Sequence, residues 1–490
     1  MNLPFAAKQF LSPDASLYLD ATRNVASGRG AIVSFNQYQF WRGASHPLWA
    51  YTQPFFPLLA AVPFKLGGVR GVITFNIFLF AVNCGLVYLI TRRAAGALAG
   101  FAAAMIAGFS YNAMYTAIYP WTEQLFLTII LGVFYIYAGM GEGAPDFFSC
   151  GKRYFWMGVL LGLSCLARAM GFYAGFIFFT AVLLIGGWAG NKRYGFFLLF
   201  GGFLAVTAGY EIFCLIKYHT FYPEYIRASL NYNNARHFPG AFYTAGNYAL
   251  YAPPAPAAFL AKPADFLNCL KVLSVLFGPF LILLLIPLVC FAKGAWRYAG
   301  RLVKLIFCYG LLNFLMIIFF MEDMGLELMR LLLVPFITMI VGGVILIARE
   351  KRFLRIAFIP VVACCLIMAA ASYFSFRYYM LGGYSDEIKA RRTAQEPLYR
   401  WIEKNTRQGD VIAAQFIDEA FWLNRPVVAL PLGAMVNEKN IRDFIRIYKP
   451  RYVLAQDERV IAFCRQAGFS DEIKSAGLLL LKKREPFIPP

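Results

Sequence analysis

The chain of 490 residues is 60% hydrophobic and only 15% charged, with a mean hydropathy of +0.58. Soluble domains have about 25% charged residues, so the charged residues of this chain are too few to cover the surfaces of several soluble domains. The same shortage of charge excludes disordered, collagen-like and coiled-coil proteins. The composition predicts a multi-pass membrane protein, whose net charge of +20 indicates either a nucleic-acid surface or an uneven distribution of charge across a membrane.

The first predicted element is a helix within residues 13–30, outside the membrane. Asp14 is placed to cap the start of this helix, and Gly28 or Gly30 would end it. Asp20 lies six residues after Asp14 and falls on a different helical face, which predicts a surface residue. The capping role of Asp14 and a chemical role are both open at this point.

A proline-rich segment and a series of long apolar segments come next. Four prolines within 47–66 argue against a straight span, so this segment is predicted to be interfacial or re-entrant. Each apolar segment is close to the roughly 20 residues that a helical span needs. The ten predicted spans are 71–91, 95–118, 124–140, 154–168, 170–190, 194–216, 267–291, 302–320, 329–348 and 354–375.

The basic residues orient these spans. Five short connections carry clusters of Lys and Arg, and they alternate with basic-poor connections, of which 116–123 and 321–329 carry no Lys or Arg. The positive-inside rule places the five basic connections in the cytoplasm. Residues 1–70, the loop 217–266 and the tail from 376 then lie outside, and the excess positive charge reflects topology and not a nucleic-acid surface.

The C-terminal residues 378–490 have the composition of a small soluble α/β domain, which follows the transmembrane domain 1–377. Short apolar strings predict strands, and periodic segments between them predict helices. The predicted strands are 411–414, 427–430, 452–455 and 477–481, and the predicted helices are 396–405, 437–448 and 458–467. The predicted fold class is therefore mainly α, a polytopic helical bundle with a small extracytoplasmic α/β domain.

Three charged residues stand at the predicted outer ends of spans. Glu123 opens a helix, where the helix dipole favours a carboxylate, so a structural role and a site role are both open. Arg168 separates two apolar segments and is expected to snorkel to the interface, to bind a phosphate, or to pair with an acid such as Glu123. Arg330 has the same alternatives, with the acidic segment 321–329 beside it.

The outer loop 217–266 is rich in aromatic and basic residues. Aromatic faces suit sugar rings and basic groups suit phosphate, although an interfacial aromatic belt has the same composition. The basic candidates in this loop are Lys217, Arg227 and Arg236.

Five short motifs occur in a fixed order along the chain. They are an acidic, aromatic and Gly-x-Gly segment at 13–30, a Pro-rich segment at 53–59, Tyr-Pro-Trp-Thr-Glu at 119–123, a Leu-Ala-Arg break at 162–171 and Arg-Leu-Leu-Leu-Val-Pro at 330–335. Their order and sidedness resemble those of the GT-C membrane glycosyltransferases. This polyprenyl-phosphate-sugar-dependent family includes protein O-mannosyltransferases and the lipid A aminoarabinose transferase. Its members begin with a span before the acidic loop, so a first helix is expected to be missing here, or the N-terminal arm to be anchored otherwise.

The resemblance implies an inverting glycosyltransferase of the cytoplasmic membrane. It would move a hexosyl or pentosyl group from a polyprenyl-phosphate donor to a lipid, glycan or protein acceptor on the outer side, with Asp14 as general base. The site is expected near the first loop, Glu123, the loop 217–266 and Arg330. The residues expected to bind substrate are Tyr18, His46, Glu123, Arg168, Lys217, Arg227, Arg236 and Arg330.

Two further points stay open from the sequence. Some relatives use a divalent cation, for which carboxylate oxygens are suitable ligands, but no metal ligands are assigned. The candidate carboxylates are Asp14, Asp20, Glu123, Glu322 and Asp323. The alternative functions are a flippase of lipid-linked sugars, which would need polar residues at the membrane midplane and paired halves, and a non-catalytic membrane scaffold.

Overall fold

A computed structural model describes much of the chain, and it is mostly helical. The described residues are 13–37, 48–49, 53–140, 147–168, 170–186, 192–218, 300–320, 330, 332–349, 395–407, 409–414, 423, 425–430, 437–475 and 477–484. They fall into two compact units. The loop–tail unit comprises described residues within 1–72 and 380–490, and the helical unit comprises those within 73–221 and 253–379.

The helices and strands have the following bounds. The helices are α1 (Pro13–Ala26), α2 (Phe55–Ala95), α3 (Ala97–Gly108), α4 (Tyr111–Ala117), α5 (Glu123–Ala138), α6 (Phe147–Ala167), α7 (Met170–Gly186), α8 (Lys192–Tyr218), α9 (Arg301–Phe320), α10 (Leu333–Arg349), α11 (395–405), α12 (Glu438–Tyr448) and α13 (Glu458–Gln466). The strands are β1 (Ile32–Val33), β2 (Phe35–Gln37), β3 (Leu48–Trp49), β4 (Ile412–Ala414), β5 (Val427–Ala429), β6 (Tyr452–Ala455), β7 (Phe469–Ser475) and β8 (Leu478–Lys483).

The loop–tail unit contains a six-stranded sheet in the order β2-β5-β4-β6-β8-β7. The first four strands are parallel, and β8 pairs antiparallel with both β6 and β7. β4, β5, β6 and β8 lie where the sequence predicts strands, and α11 to α13 lie where it predicts helices. The sheet also takes β2 from the first loop, with Phe35 opposite Val427. The C-terminal strands are thus completed by a segment almost four hundred residues earlier.

Strands β4, β6 and β8 are covered on both faces of the sheet, and their successive side chains point into two different cores. One face packs against α1 and α11 in a core of Leu17, Ala21, Val33, Leu398, Ile402, Ile412, Ala414, Leu423, Val427, Tyr452, Leu454, Leu478 and Leu480. The other face packs against α12 and α13 around Val428, Phe444, Val453, Val460, Leu479 and Leu481. The unit therefore has three layers, and helix α1 of the first loop belongs to one of them.

Helix α2 begins inside the proline-rich segment, at Phe55. Proline-rich residues 55–67 are therefore helical, and Pro63 lies within the helix. The helix breaks at Gly68, which has φ 57° and ψ −140°, a backbone conformation that glycine adopts without steric cost. The predicted span 71–91 lies within the part of α2 that follows this break.

The helical unit is built around apolar residues of α2, α3, α5, α6, α7, α9 and α10. Eight of the predicted spans coincide with helical segments, although 95–118 is divided into α3 and α4 at Ser110. The predicted spans 267–291 and 354–375 lie outside the described residues. Within the described part of the chain, two segments are long and apolar enough to cross a membrane, namely α2 and residues Tyr194–Ile216 of α8, and α3, α5, α7 and α10 are shorter apolar helices.

Helices α6 and α8 pack with their backbones in close approach, as small residues permit in membrane helices. A Cβ atom at Gly202 would overlap the carbonyl oxygen of Phe155 and lie 3.0 Å from the backbone nitrogen of Val159. The neighbouring Gly201 has no atom within 4 Å of such a Cβ. This pair therefore offers a matched test of the packing.

We expect Gly202→Ala to lower the free energy of unfolding by about 1–3 kcal/mol, because the two backbones must separate. Gly201→Ala should leave stability unchanged or raise it by up to about 1 kcal/mol, since alanine favours the helix. Thermal unfolding of the two detergent-purified variants measures the difference. Equal unfolding temperatures would contradict the described α6–α8 contact.

Candidate functional site

The connection between α4 and α5 places Trp121 and Glu123 in the interior of the helical unit. Asn76 of α2 holds this connection, because its Nδ2 donates to the carbonyl oxygen of Trp121 at 2.9 Å and also to that of Tyr119. Trp121 and Glu123 are each 2% exposed. The first residue of α5 is thus a buried carboxylate at a helix N-terminus, where the helix dipole stabilises negative charge.

Gln124 fixes the same end of α5 to two other helices. Its Nε2 donates to the carbonyl oxygen of Ala113 at 2.8 Å and to Oγ1 of Thr116 at 2.7 Å. Its Oε1 accepts a hydrogen bond of 2.8 Å from Nδ2 of Asn83. Because α2, α4 and α5 share this buried network, the position of Glu123 is set by several hydrogen bonds between helices.

Glu123 forms a buried ion cluster with two arginines. Its Oε1 accepts a 2.6 Å hydrogen bond from Nε of Arg330 and also contacts Nη1 of Arg168. The side chains of Glu123 and Arg330 are 2% exposed, and that of Arg168 is 13% exposed. Among the described residues, Oε2 of Glu123 has no hydrogen-bond partner. Among the described residues, the one carboxylate and two guanidinium groups of this cluster sum to a formal charge of +1.

An aromatic group covers one side of the cluster. The guanidinium of Arg330 lies 4.0 Å from the ring centroid of Trp121, a cation–π contact. Trp121 stacks on Tyr119 with centroids 4.5 Å apart, and Tyr115 meets it edge-on at 5.1 Å. Trp121 belongs to the Tyr-Pro-Trp motif at 119–121, which predicts no role for its side chain. Its only signal was its position between a proline and the acidic residue.

Both arginines contact Glu123 in the structure, and their predicted role in binding a phosphate stays a prediction. Arg168 pairs with Glu123, which was one of the predicted alternatives to snorkelling. Arg330 also binds Glu123, and the acidic segment 321–329 beside it in the sequence lies outside the described residues. Glu123 precedes Arg330 by 207 positions, so this contact joins distant parts of the chain.

Helix α1 carries the predicted base in the loop–tail unit. The helix begins at Pro13, so Asp14 is its second residue. Asp14 therefore does not stand in front of the helix, as the predicted capping residue would. Proline is suited to the first helical position because its fixed φ is already helical. The helix ends at Ala26, followed by Gly28 with φ 76° and Gly30 with φ 91°, as predicted. The structure describes only the backbone of Asp14.

The prediction that Asp20 lies on the surface is wrong, because this residue is 1% exposed. Its carboxylate pairs with Nη2 of Arg23 and accepts the backbone N–H of Ser34, and Nδ2 of Asn24 lies 3.5 Å from Oδ2. Burial raises the pKa of Asp20, while Arg23 and the Ser34 N–H act in the opposite direction. Helical periodicity could not reveal this burial, since the cover comes from the chain after the helix.

Tyr18 of α1 is also largely buried, at 9% exposure. Its ring meets that of Phe56 edge-on with centroids 5.9 Å apart. Its carbonyl oxygen accepts a 2.6 Å hydrogen bond from Oγ1 of Thr22. Packing thus accounts for much of the burial of the Tyr18 side chain. The role of Tyr18 in substrate binding stays a prediction.

The remaining candidates lie largely beyond the described structure. Lys217 is in the last turn of α8, where the structure describes the backbone only. The other candidates outside the described residues are His46, Arg227, Arg236, Glu322 and Asp323. Among the described residues, no three His, Cys, Asp or Glu side chains gather as a metal site would require. Glu123 faces two guanidinium groups and Asp20 faces one, arrangements that do not fit a divalent cation.

Comparisons with known proteins give matches only among solved structures. No family model matches the chain, and no curated protein matches it. ArnT from Cupriavidus metallidurans bound to undecaprenyl phosphate matches with a TM-score of 0.63 at 12% identity, over 100% of this chain and 97% of that one. The same protein in its apo state matches with a TM-score of 0.64 at 12% identity, over 96% and 94% of the two chains.

The Archaeoglobus fulgidus oligosaccharyltransferase in its apo form also matches, with a TM-score of 0.56 at 13% identity. The match covers 91% of this chain and 66% of that one. Both neighbours are GT-C glycosyltransferases. The chain therefore has the GT-C fold, and the resemblance predicted from its motifs is confirmed at the level of the fold.

Proposed function

We propose that this protein is a GT-C glycosyltransferase that moves a sugar from a polyprenyl-phosphate donor to an acceptor outside the cytoplasmic membrane. The observation that carries the proposal is the similarity over the whole chain to ArnT bound to undecaprenyl phosphate. The apolar helices and the two guanidinium groups of the buried cluster further support a membrane enzyme with an anionic lipid substrate.

The reaction needs little acid catalysis, because a phosphate is a good leaving group. The acceptor hydroxyl or amine attacks the anomeric carbon as the bond to the phosphate oxygen breaks, which inverts the configuration. The acceptor proton passes to a carboxylate, and polyprenyl phosphate leaves with the bonding electron pair. We assign the role of this proton-accepting carboxylate to Asp14, the second residue of α1.

We assign Arg168 and Arg330 to the phosphate of the donor. Guanidinium groups bind phosphate through charge-assisted hydrogen bonds, which are stronger away from water. Arg330 is fixed by Glu123 and by the face of Trp121. The side chain of Arg168 is more exposed than those of Glu123 and Arg330. Arg168 is therefore the arginine best placed to exchange part of its contacts for a ligand.

Arg168→Gln should raise the KM for the donor by about 10- to 100-fold, the loss expected for a hydrogen bond to a charged group. Arg153→Gln is the matched control, because Arg153 is exposed and donates to the carbonyl oxygen of Gly139. Initial rates at varied donor concentration measure both effects. A donor KM for Arg168→Gln equal to that of the control would remove Arg168 from the phosphate site.

The proposal is tested by incubating the purified protein in liposomes with an envelope extract and a labelled sugar on polyprenyl phosphate. We expect label to appear in a new glycoside, and the same sugar on a nucleotide to be unused. Movement of the intact labelled lipid between leaflets without cleavage would instead indicate a flippase. Absence of both activities with every donor tested would favour a non-catalytic scaffold.

A further inference from the structure

We propose that Asp20 is a positioning residue, which fixes the orientation of α1 on the C-terminal sheet and thereby the place of Asp14. This inference rests on the proposed function, since it assigns Asp20 a role through the proposed base. Asp20 is fully within the loop–tail unit and is 1% exposed. Its contacts join α1 to the segment that leads into β2.

Ser34 connects Asp20 to the C-terminal strands. Its backbone N–H donates to Oδ2 of Asp20, and its carbonyl oxygen accepts a 2.9 Å hydrogen bond from the backbone N–H of Val427. The next residue, Phe35, begins the parallel pairing with β5. One peptide segment is therefore bonded on one side to α1 and on the other to the C-terminal sheet.

Asn24, one turn after Asp20, reinforces the same attachment. Its Nδ2 donates to the carbonyl oxygen of Ile32 at 2.7 Å and to Oγ of Ser34 at 3.2 Å. A neighbouring face of α1 places Leu17 and Ala21 in the apolar core beneath β4, β5 and β6. The helix is thus held by a polar contact and an apolar contact, which together restrict its rotation and tilt.

The chemistry of Asp20 suits this role better than that of a neutral residue. Both carboxylate oxygens act only as acceptors, and the groups around them are donors from Arg23, Asn24 and Ser34. An asparagine has the same shape, but its amide nitrogen would face one of these donors. Asp20→Asn therefore disturbs the attachment without creating a cavity.

A small change in the tilt of α1 matters at Asp14. Six residues of α-helix separate Asp14 from Asp20, a distance of about 9 Å along the axis. A tilt of about 10° about Asp20 moves the start of the helix by roughly 1.5 Å, and a misplacement of about 1 Å can lower a catalytic rate about 100-fold. In this account the C-terminal segment supports the proposed catalytic helix.

The test compares Asp20→Asn with Ser27→Ala, a control at the exposed residue that follows α1, whose hydroxyl donates to the carbonyl oxygen of Arg23. Both changes are made in the wild type and in Asp14→Asn. In the wild type, Asp20→Asn should lower kcat about 10- to 100-fold, with the donor KM within about twofold and Ser27→Ala unchanged. In the Asp14→Asn background, Asp20→Asn should change the remaining rate by less than about twofold, because the effect of Asp20 passes through Asp14.

Other outcomes overturn the inference in distinguishable ways. An unchanged kcat, or an equal loss in both backgrounds, would show that Asp20 does not act through Asp14. Asn24→Ala decides the matter if Asp20→Asn does not fold, since it weakens the same attachment and should show the same dependence on Asp14. A wild type inactive with every polyprenyl-phosphate sugar would contradict the proposed function and the role of Asp20 with it.

Discussion

Asp14→Asn is expected to lower the rate of sugar transfer about 10²- to 10⁴-fold, the usual contribution of a general base. The amide cannot accept the proton of the acceptor, whereas its shape and its place in the first turn of α1 are unchanged. Loss of the favourable interaction with the helix dipole should cost at most about 1 kcal/mol of stability. The measurement is kcat at saturating donor together with the unfolding temperature.

Asp443→Asn serves as the control for this substitution. Asp443 is an acidic residue of the tail, on α12, where it pairs with Arg446 at 2.9 Å near the protein surface. Its replacement should change neither rate nor stability appreciably, since exposed pairs contribute about 0–1 kcal/mol. Turnover of Asp14→Asn equal to that of this control would remove the assignment of Asp14 as the base.

Glu123→Gln is expected to have the largest effect on stability, about 3–5 kcal/mol, because it removes a buried carboxylate that two guanidinium groups share. Transfer should also be lost, since Arg168 and Arg330 would no longer be held for the donor phosphate. Glu438→Gln is the matched control, because Glu438 also opens a helix and pairs with an arginine, Arg442, but is exposed. That control should lose no more than about 1 kcal/mol.

A second substitution separates charge from shape in the same cluster. Adding Arg168→Gln to Glu123→Gln restores the formal charge of +1, so part of the lost stability should return while transfer stays absent. Chemical unfolding of the detergent-purified variants gives the free energies. If Glu123→Gln and Glu438→Gln lose equally little stability, the buried ion cluster is contradicted.

Local sequence patterns predicted much of the fold. Gly28 and Gly30 marked the end of α1 because their positive φ angles terminate a helix. The apolar strings of the tail predicted β4, β5, β6 and β8, because strands buried on both faces consist of continuous apolar residues. The long apolar segments likewise predicted the helices of the helical unit.

Contacts between distant segments were beyond these patterns. β2 has three residues and no periodicity of its own, so nothing in 35–37 indicated its parallel pairing with β5. The burial of Asp20 depends on the same segment folding back over α1. In the helical unit, the motif order placed Glu123 and Arg330 among the candidates, but their bond across 207 positions required the structure.

The most direct test of the central claim is the fate of the donor in a single turnover by purified wild-type protein. With a stoichiometric polyprenyl-phosphate sugar and an acceptor extract, mass spectrometry should detect free polyprenyl phosphate and one glycosylated product in equal amounts. Asp14→Asn should form neither over the same time. Donor recovered intact with the wild type, for every sugar and extract tested, would contradict the assignment of this protein as a glycosyltransferase.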